Sequence, residues 1–156
     1  MAHPDPNPAY VAAVQDLVAS APYPELLGMR LAAMEIDSCE IELNVEDRHM
    51  QPFGIVHGGV VASLIDTATF WAGFLRLPED AGLVNVDLKL NYLEAVPAGA
   101  GLLRAEGICL RPGRQVSYAE ARVLDKAGRL IGHGTSTLMA LPGRGLPIDL
   151  PKLIEG

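Results

Sequence analysis

Aromatic side chains make up only 5% of the 156 residues, with a single tryptophan, so any core must be built mainly from aliphatic groups. Cysteine is almost absent. Cys39 and Cys109 show neither CxxC spacing nor a neighbouring histidine, which excludes a zinc ribbon or a dithiol motif and reads as buried free thiols in a reducing cytoplasm. No histidine, cysteine or carboxylate cluster has metal-ligand spacing, so no metal site and no cofactor are expected. Positive charge is scarce as well: 12 Lys and Arg face 19 Asp and Glu, for a net charge of −7 with no basic run. That excludes a nucleic-acid binder driven by phosphate contacts. The G-x-S-x-G elbow of Ser-His-Asp hydrolases is missing. The apolar stretch from Val60 to Leu75 is too short to span a membrane and is interrupted by Ser63, Asp66, Thr67 and Thr69. No basic start followed by an apolar run opens the chain, so a soluble, cytoplasmic protein without membrane contact is expected.

What is present is organised around one carboxylate. Between His49 and Leu75 the only formally charged side chain is Asp66, set in an apolar helical pattern that opens with His57-Gly58-Gly59. Val61, Leu64, Ile65, Ala68, Ala72 and Leu75 follow the i, i+3, i+4, i+7 spacing of a core-facing stripe, predicting a helix over 58–75 that Pro78 stops. A carboxylate in such a helix is costly unless it is paired, hydrogen-bonded or used. A helix opening on two glycines leaves approachable N–H groups that suit an oxygen gaining negative charge.

Around this helix, alternating patterns predict strands at 29–37, 39–46, 84–92, 100–111, 114–125 and 129–141, the later ones joined by short turns into an antiparallel meander. In the fourth-from-last of these, Val84, Val86, Leu88, Leu90 and Tyr92 alternate with Asn85, Asp87, Lys89 and Asn91. Residues 1–27 read as a loose lead-in with a short helix at 9–20 and a turn at 23–28. Residues 28–141 form the main domain, and 142–156 an irregular tail. The expected class is α+β, with an antiparallel sheet of about six strands wrapped around one long central helix.

The block Gln51-Pro52-Phe53-Gly54-Ile55-Val56-His57-Gly58-Gly59, with Asp66 nine residues after the histidine, resembles the hotdog-fold acyl-CoA thioesterases. It is most similar to the phenylacetate-pathway (PaaI-like) type and the 4-hydroxybenzoyl-CoA and 1,4-dihydroxy-2-naphthoyl-CoA thioesterases. Asn91-Tyr92-Leu93 with Pro97, Arg111-Pro112-Gly113-Arg114 and Gly134-Thr135-Ser136-Thr137 resemble later parts of that family. The resemblance implies hydrolysis of an aryl or medium-chain acyl-CoA at sites in a homodimer that assembles into a homotetramer. It implies that Gly58 or Gly59, with Gly59 the favoured donor, gives a backbone N–H to the thioester oxygen, that His57 positions the thioester or leaving thiol, and that Gln51 orients water or substrate. Asp66 from the other protomer would be nucleophile or general base, Thr69 or Thr67 would hold the water, and Asn91, Arg111 and Arg114 would contact the CoA ester. One departure is Phe70, standing where some relatives carry Ser or Thr four residues after the carboxylate.

The chemistry is coherent. A helix end polarises the carbonyl, a carboxylate attacks or activates water, and a thiolate leaves readily near neutral pH. Phe53, Phe70, Trp71 and Phe74 are candidates for the acyl pocket. Each residue also has a structural reading: Asp66 as a buried capping carboxylate, His57 as an N-cap, Gln51 as a loop brace, Gly58-Gly59 as a close-packing device. His133 has no evident partner and reads as a strand residue. A non-catalytic acyl-CoA sensor or a hydratase of the same fold remain the alternatives.

Overall fold

A computed structural model describes residues 4–156. Asn7 caps the first helix, α1 (Pro8–Ser20), by accepting the Ala9 N–H, and Pro8 takes the first position, where its missing donor costs nothing. The segment expected as a turn after it is instead a six-residue helix, α2 (Pro22–Leu27), again begun by a proline and closed by Gly28 in the left-handed region at φ 72°. Residues 1–3 of the expected lead-in lie outside the described residues.

The sheet runs β2 (Met29–Glu35), β3 (Ser38–Asn44), β6 (Leu102–Arg111), β7 (Val116–Leu124), β8 (Leu130–Leu141), all antiparallel. Its far edge is filled by two short strands in one position, β4 (Gly82–Asn85) and β5 (Lys89–Tyr92), both paired with β8. The expected single strand at 84–92 is thus broken. The Asp87 carboxylate accepts the Thr137 N–H at 2.7 Å and the Thr137 hydroxyl at 3.2 Å, while Ser136 donates to the Asp87 carbonyl at 2.6 Å. A side chain replaces the ladder there, and the backbone swings out between β4 and β5.

The central helix, α3 (Gly58–Ala72), lies across the concave sheet, with Val61, Leu64, Ile65, Ala68 and Ala72 buried as their spacing predicts. It ends three residues earlier than expected, at Gly73, whose N–H returns to the Phe70 and Trp71 carbonyls. A Cβ there would stand 2.6 Å from a Leu138 methyl, so the chain turns where the sheet is closest. Helix and sheet also touch at Gly107, where a Cβ would lie 2.2 Å from the Ala68 carbonyl oxygen. Glycine permits this close approach.

The C-terminal segment is more ordered than expected. Leu153–Ile154 (β9) pairs with Asp5–Pro6 (β1). Lys152 is buried, with its ammonium 3.2–3.5 Å from the carbonyls of Phe74, Leu77 and Pro78 and 3.9 Å from the Phe74 ring centre. The tail therefore clamps the chain that leaves α3. Cys39 and Cys109 are free and buried, as expected. His133 does have a partner: the β7–β8 register sets its Nε2 2.9 Å from Glu120.

Candidate active site at the start of the central helix

The loop before α3 is held from below by His49, which is 1% exposed. Its Nδ1 accepts the Glu46 N–H at 2.9 Å, its Nε2 lies 2.7 Å from the Leu27 carbonyl, and its own carbonyl accepts the His57 N–H at 2.8 Å. Two isolated bridges, Met50 to Val56 and Ile55 to Pro97, fold residues 50–56 into a tight loop with Phe53 at its exposed tip. Gln51 braces that loop, its side-chain oxygen accepting the Phe53 N–H. That leaves the amide NH2 of Gln51 free to donate.

His57 is the N-cap of α3. Its Nδ1 accepts the Gly59 N–H at 2.8 Å, so the ring is unprotonated at Nδ1 and, when neutral, carries its hydrogen on Nε2. The donor left without a partner among the described residues is accordingly the Gly58 N–H, at the positive end of a helix with no acidic residue in its first turn. A cleft of about 340 Å³ opens beside it, lined by Gln51, Gly58, Val61, Tyr92, Glu94 and Val96 among others. A Cβ on Gly58 would be 3.0 Å from the Tyr92 ring, so glycine is what lets the ring cover the helix end without closing it.

Asp66 is elsewhere. It sits two turns along α3, seven residues after Gly59 and hence about 10 Å along the helix axis. Its Oδ1 accepts from the side chain of Asn85 on β4 at 2.9 Å; Oδ2 has no partner among the described residues. Burial pushes its carboxyl above the usual range, and the Asn85 hydrogen bond opposes the rise.

The remaining candidate residues divide. Thr69 is fully buried; its hydroxyl donates to the Ile65 and Asp66 carbonyls and accepts from Asn85, leaving no free group to hold a water. Thr67 is half-buried beside Met29. Phe70 lies one turn beyond Asp66 and packs with Trp71 and Phe74. None of these three aromatics, nor Phe53, lines the cleft at Gly58, whose lining is mostly aliphatic with Gln51, Tyr92 and Glu94 as its polar members. Asn91 is exposed on β5 and does not line it either. Arg111 and Arg114 are exposed at the β6–β7 hairpin; Arg114 borders a separate depression with Arg76, Leu77 and Pro112 that shares no residue with the first. Tyr92, Glu94 and Asn85 are the site neighbours that sequence reasoning missed. Tyr92 stood inside a quoted motif, whereas nothing local marks Asn85 as a partner of Asp66. No group of three or more potential metal ligands occurs among the described residues.

Comparison with known proteins meets the same segment. The model of the thioesterase superfamily matches residues 53–131, from the tip of the loop through α3 to the start of β8. The proofreading thioesterase EntH of Klebsiella pneumoniae is 37% identical over 103 residues, spanning 66% of this chain and 74% of its own length. A thioesterase of known structure from Haemophilus influenzae superposes with a TM-score of 0.77 at 28% identity, covering 85% of this chain and 90% of that one. The PaaI protein of the E. coli phenylacetic acid degradation operon has the same fold, with a TM-score of 0.76 at 16% identity over 85% of this chain and 94% of that one. The chain thus belongs to the thioesterase superfamily: it has the hotdog fold and is a thioester hydrolase.

Proposed function

We propose that the chain hydrolyses the thioester of an aryl or medium-chain acyl-CoA at a site completed by a second copy of itself. The separation of Asp66 from the α3 N-terminus carries this reading. Reacting atoms must approach to about 3–3.5 Å, and about 10 Å of helix lies between Gly59 and Asp66 of one chain. The site within a single chain therefore has a carbonyl binder and a carboxylate that cannot meet on one substrate.

The free edge of the sheet supports a second copy. Val84, Val86, Leu88 and Tyr92 are exposed there, the apolar side of a segment patterned for burial, and Phe53 at the loop tip is 91% exposed. Pairing of two such edges about a twofold axis covers both and brings the partner's α3 alongside. A further apolar row on the outer sheet face, Ile108, Leu110, Val116, Tyr118 and Met139, supports stacking of two dimers into a homotetramer.

In this reading the Gly58 N–H, the helix dipole and the Gln51 amide polarise the thioester oxygen, the donors acting where negative charge develops. The Gly59 N–H holds His57 so that its Nε2–H faces the departing sulfur. Asp66 of the other protomer either takes a proton from the attacking water or attacks the carbonyl carbon itself. The C–S bond then breaks, and CoA leaves as thiolate and is protonated; with water as nucleophile the free acid is formed directly, and with Asp66 as nucleophile a mixed anhydride forms that a water then hydrolyses to the free acid and the regenerated carboxylate. Arg111 and Arg114 meet the CoA phosphates, and Asn91 contacts the bound ester from β5. The protein acts in the cytoplasm.

The test is thiol release from a panel of phenylacetyl-, benzoyl-, hydroxybenzoyl-, short- and long-chain CoA esters. Asp66→Asn should lower turnover by about 10²–10⁴-fold, with fold and assembly retained; wild-type turnover in that variant would refute the assignment. Mixing Asp66→Asn chains with Gly58→Val chains should restore about a quarter of the activity, since half the dimers then hold one intact site. No recovery would refute a shared site. Binding of every ester without turnover would make the chain an acyl-CoA sensor instead.

A further inference from the structure

Asn85, on β4, makes the only side-chain hydrogen bond to the Asp66 carboxylate among the described residues. Its Nδ2 donates to three acceptors at once: Asp66 Oδ1 at 2.9 Å, the Asp66 carbonyl at 3.1 Å and Thr69 Oγ1 at 3.2 Å. Thr69 has already spent its hydrogen on the helix carbonyls, so only the amino end of the amide can face this cluster. The other end, Asn85 Oδ1, is buried with no partner among the described residues. A buried, unpaired acceptor is destabilising. A leucine has a similarly branched side chain without such an acceptor, so filling space does not by itself explain an asparagine here.

We infer that Asn85 is a positioning residue for Asp66: it grips Oδ1 from β4, fixes the rotamer of the carboxylate, and leaves Oδ2 as the one oxygen presented for reaction. The inference rests on the catalytic reading of Asp66. Phe70 cannot serve this purpose from the next turn of α3, and the Thr69 hydroxyl donates to the Ile65 and Asp66 backbone carbonyls rather than to the Asp66 carboxylate. Asn85 therefore does from the neighbouring strand what no helix residue does. Its amide N–H also favours the charged form of the carboxylate, which burial disfavours. No ionisable group contributes to the perturbation of Asp66. On the same helix, Thr67 meets Met29 of β2 and Ser63 meets the Tyr23 hydroxyl of α2.

The experiment compares Asn85→Leu and Asn85→Asp with the wild type in three readouts. For Asn85→Leu, kcat should fall about tenfold or more with KM changed less than about twofold, the signature of an interaction used in the chemical step. The acid limb of the kcat/KM profile should move to higher pH, and further in Asn85→Asp, where a second carboxylate faces the first. The thermal midpoint of Asn85→Leu should be unchanged or raised. The third readout needs no turnover: the carboxyl carbon of Asp66, followed by NMR, should titrate at higher pH in Asn85→Leu. An unmoved limb and titration, or a loss of kcat that only tracks a falling midpoint, overturns the inference. If Asp66→Asn is inactive while both Asn85 variants behave as wild type, the inference alone fails. If Asp66→Asn retains full turnover, the catalytic reading of Asp66 fails first.

Discussion

Gly107 on β6 is the position where one added methyl group should do most damage. Its Cβ would stand 2.2 Å from the Ala68 carbonyl oxygen, 2.7 Å from the carbonyl carbon and 3.2 Å from the Ala68 side chain. A carbon–oxygen contact settles at about 3.3 Å or more, so in Gly107→Ala either α3 or β6 must retreat by about 1 Å. Neither is free to do so. The same Ala68 oxygen accepts the Cys39 thiol hydrogen at 3.0 Å, and Cys39 pairs with Gly107 across β3 and β6. A gap of that size forfeits a quarter to a half of the dispersion energy of each contact it opens, here along the buried face of Leu64, Ile65 and Ala68. Overpacking of this kind costs about 3 kcal/mol, which for a chain of this length lowers the thermal midpoint by about 6–12 °C. Because α3 carries both Gly58 and Asp66, a shift of its axis should also reduce turnover by about 100-fold. Differential scanning fluorimetry and thiol-release kinetics measure both, with Lys126→Ala, exposed in the β7–β8 turn, as a control expected to change stability by less than about 0.5 kcal/mol. A Gly107→Ala midpoint within about 1 °C of wild type would refute the packing argument.

Two further outcomes follow from buried titratable groups. Burial holds the Lys152 ammonium down at about 8, below the ordinary lysine value, so between pH 8 and 10 the unfolded chain binds the extra proton and stability rises with pH. Lys152→Met should remove that rise, so urea-unfolding curves of wild type and variant should diverge across this window; parallel curves would exclude the lysine as its source. Burial likewise pushes the Cys39 thiol up to about 12. Cys39 should therefore react with a thiol reagent at pH 8 only at the rate of global unfolding, as read in a Cys109→Ser background, and Cys39→Ser in that background should abolish the slow phase. Prompt labelling of Cys39 in the folded protein would show that the β3–α3 contact opens locally.

Much of this molecule is written in short-range pattern. The stripe from Val61 to Ala72, the His57 cap, the paired glycines and the strand alternation each follow from a period of 3.6 or 2 and from local backbone chemistry. For that reason the antiparallel sheet and its central helix were legible in the sequence, whereas the sequence favoured Gly59 as the helix-end donor and the structure turns that N–H onto His57 Nδ1. The same periodicity could not say which polar atoms meet across the sheet. Asn85 finds Asp66 from 19 residues away, Tyr92 covers Gly58, Glu120 reaches His133, and Lys152 reaches the carbonyls that follow α3. Each of these depends on strand register or on where a distant segment docks, and alternation is blind to both, since it fixes only the face a side chain occupies. The broken edge strand shows the limit most clearly. Val84 to Tyr92 has the pattern of one half-buried strand, but Asp87 substitutes its carboxylate for the ladder at Thr137. The apolar side of that segment was thus set by sequence, and its exposure on the single chain was decided only by its place at the edge of the sheet.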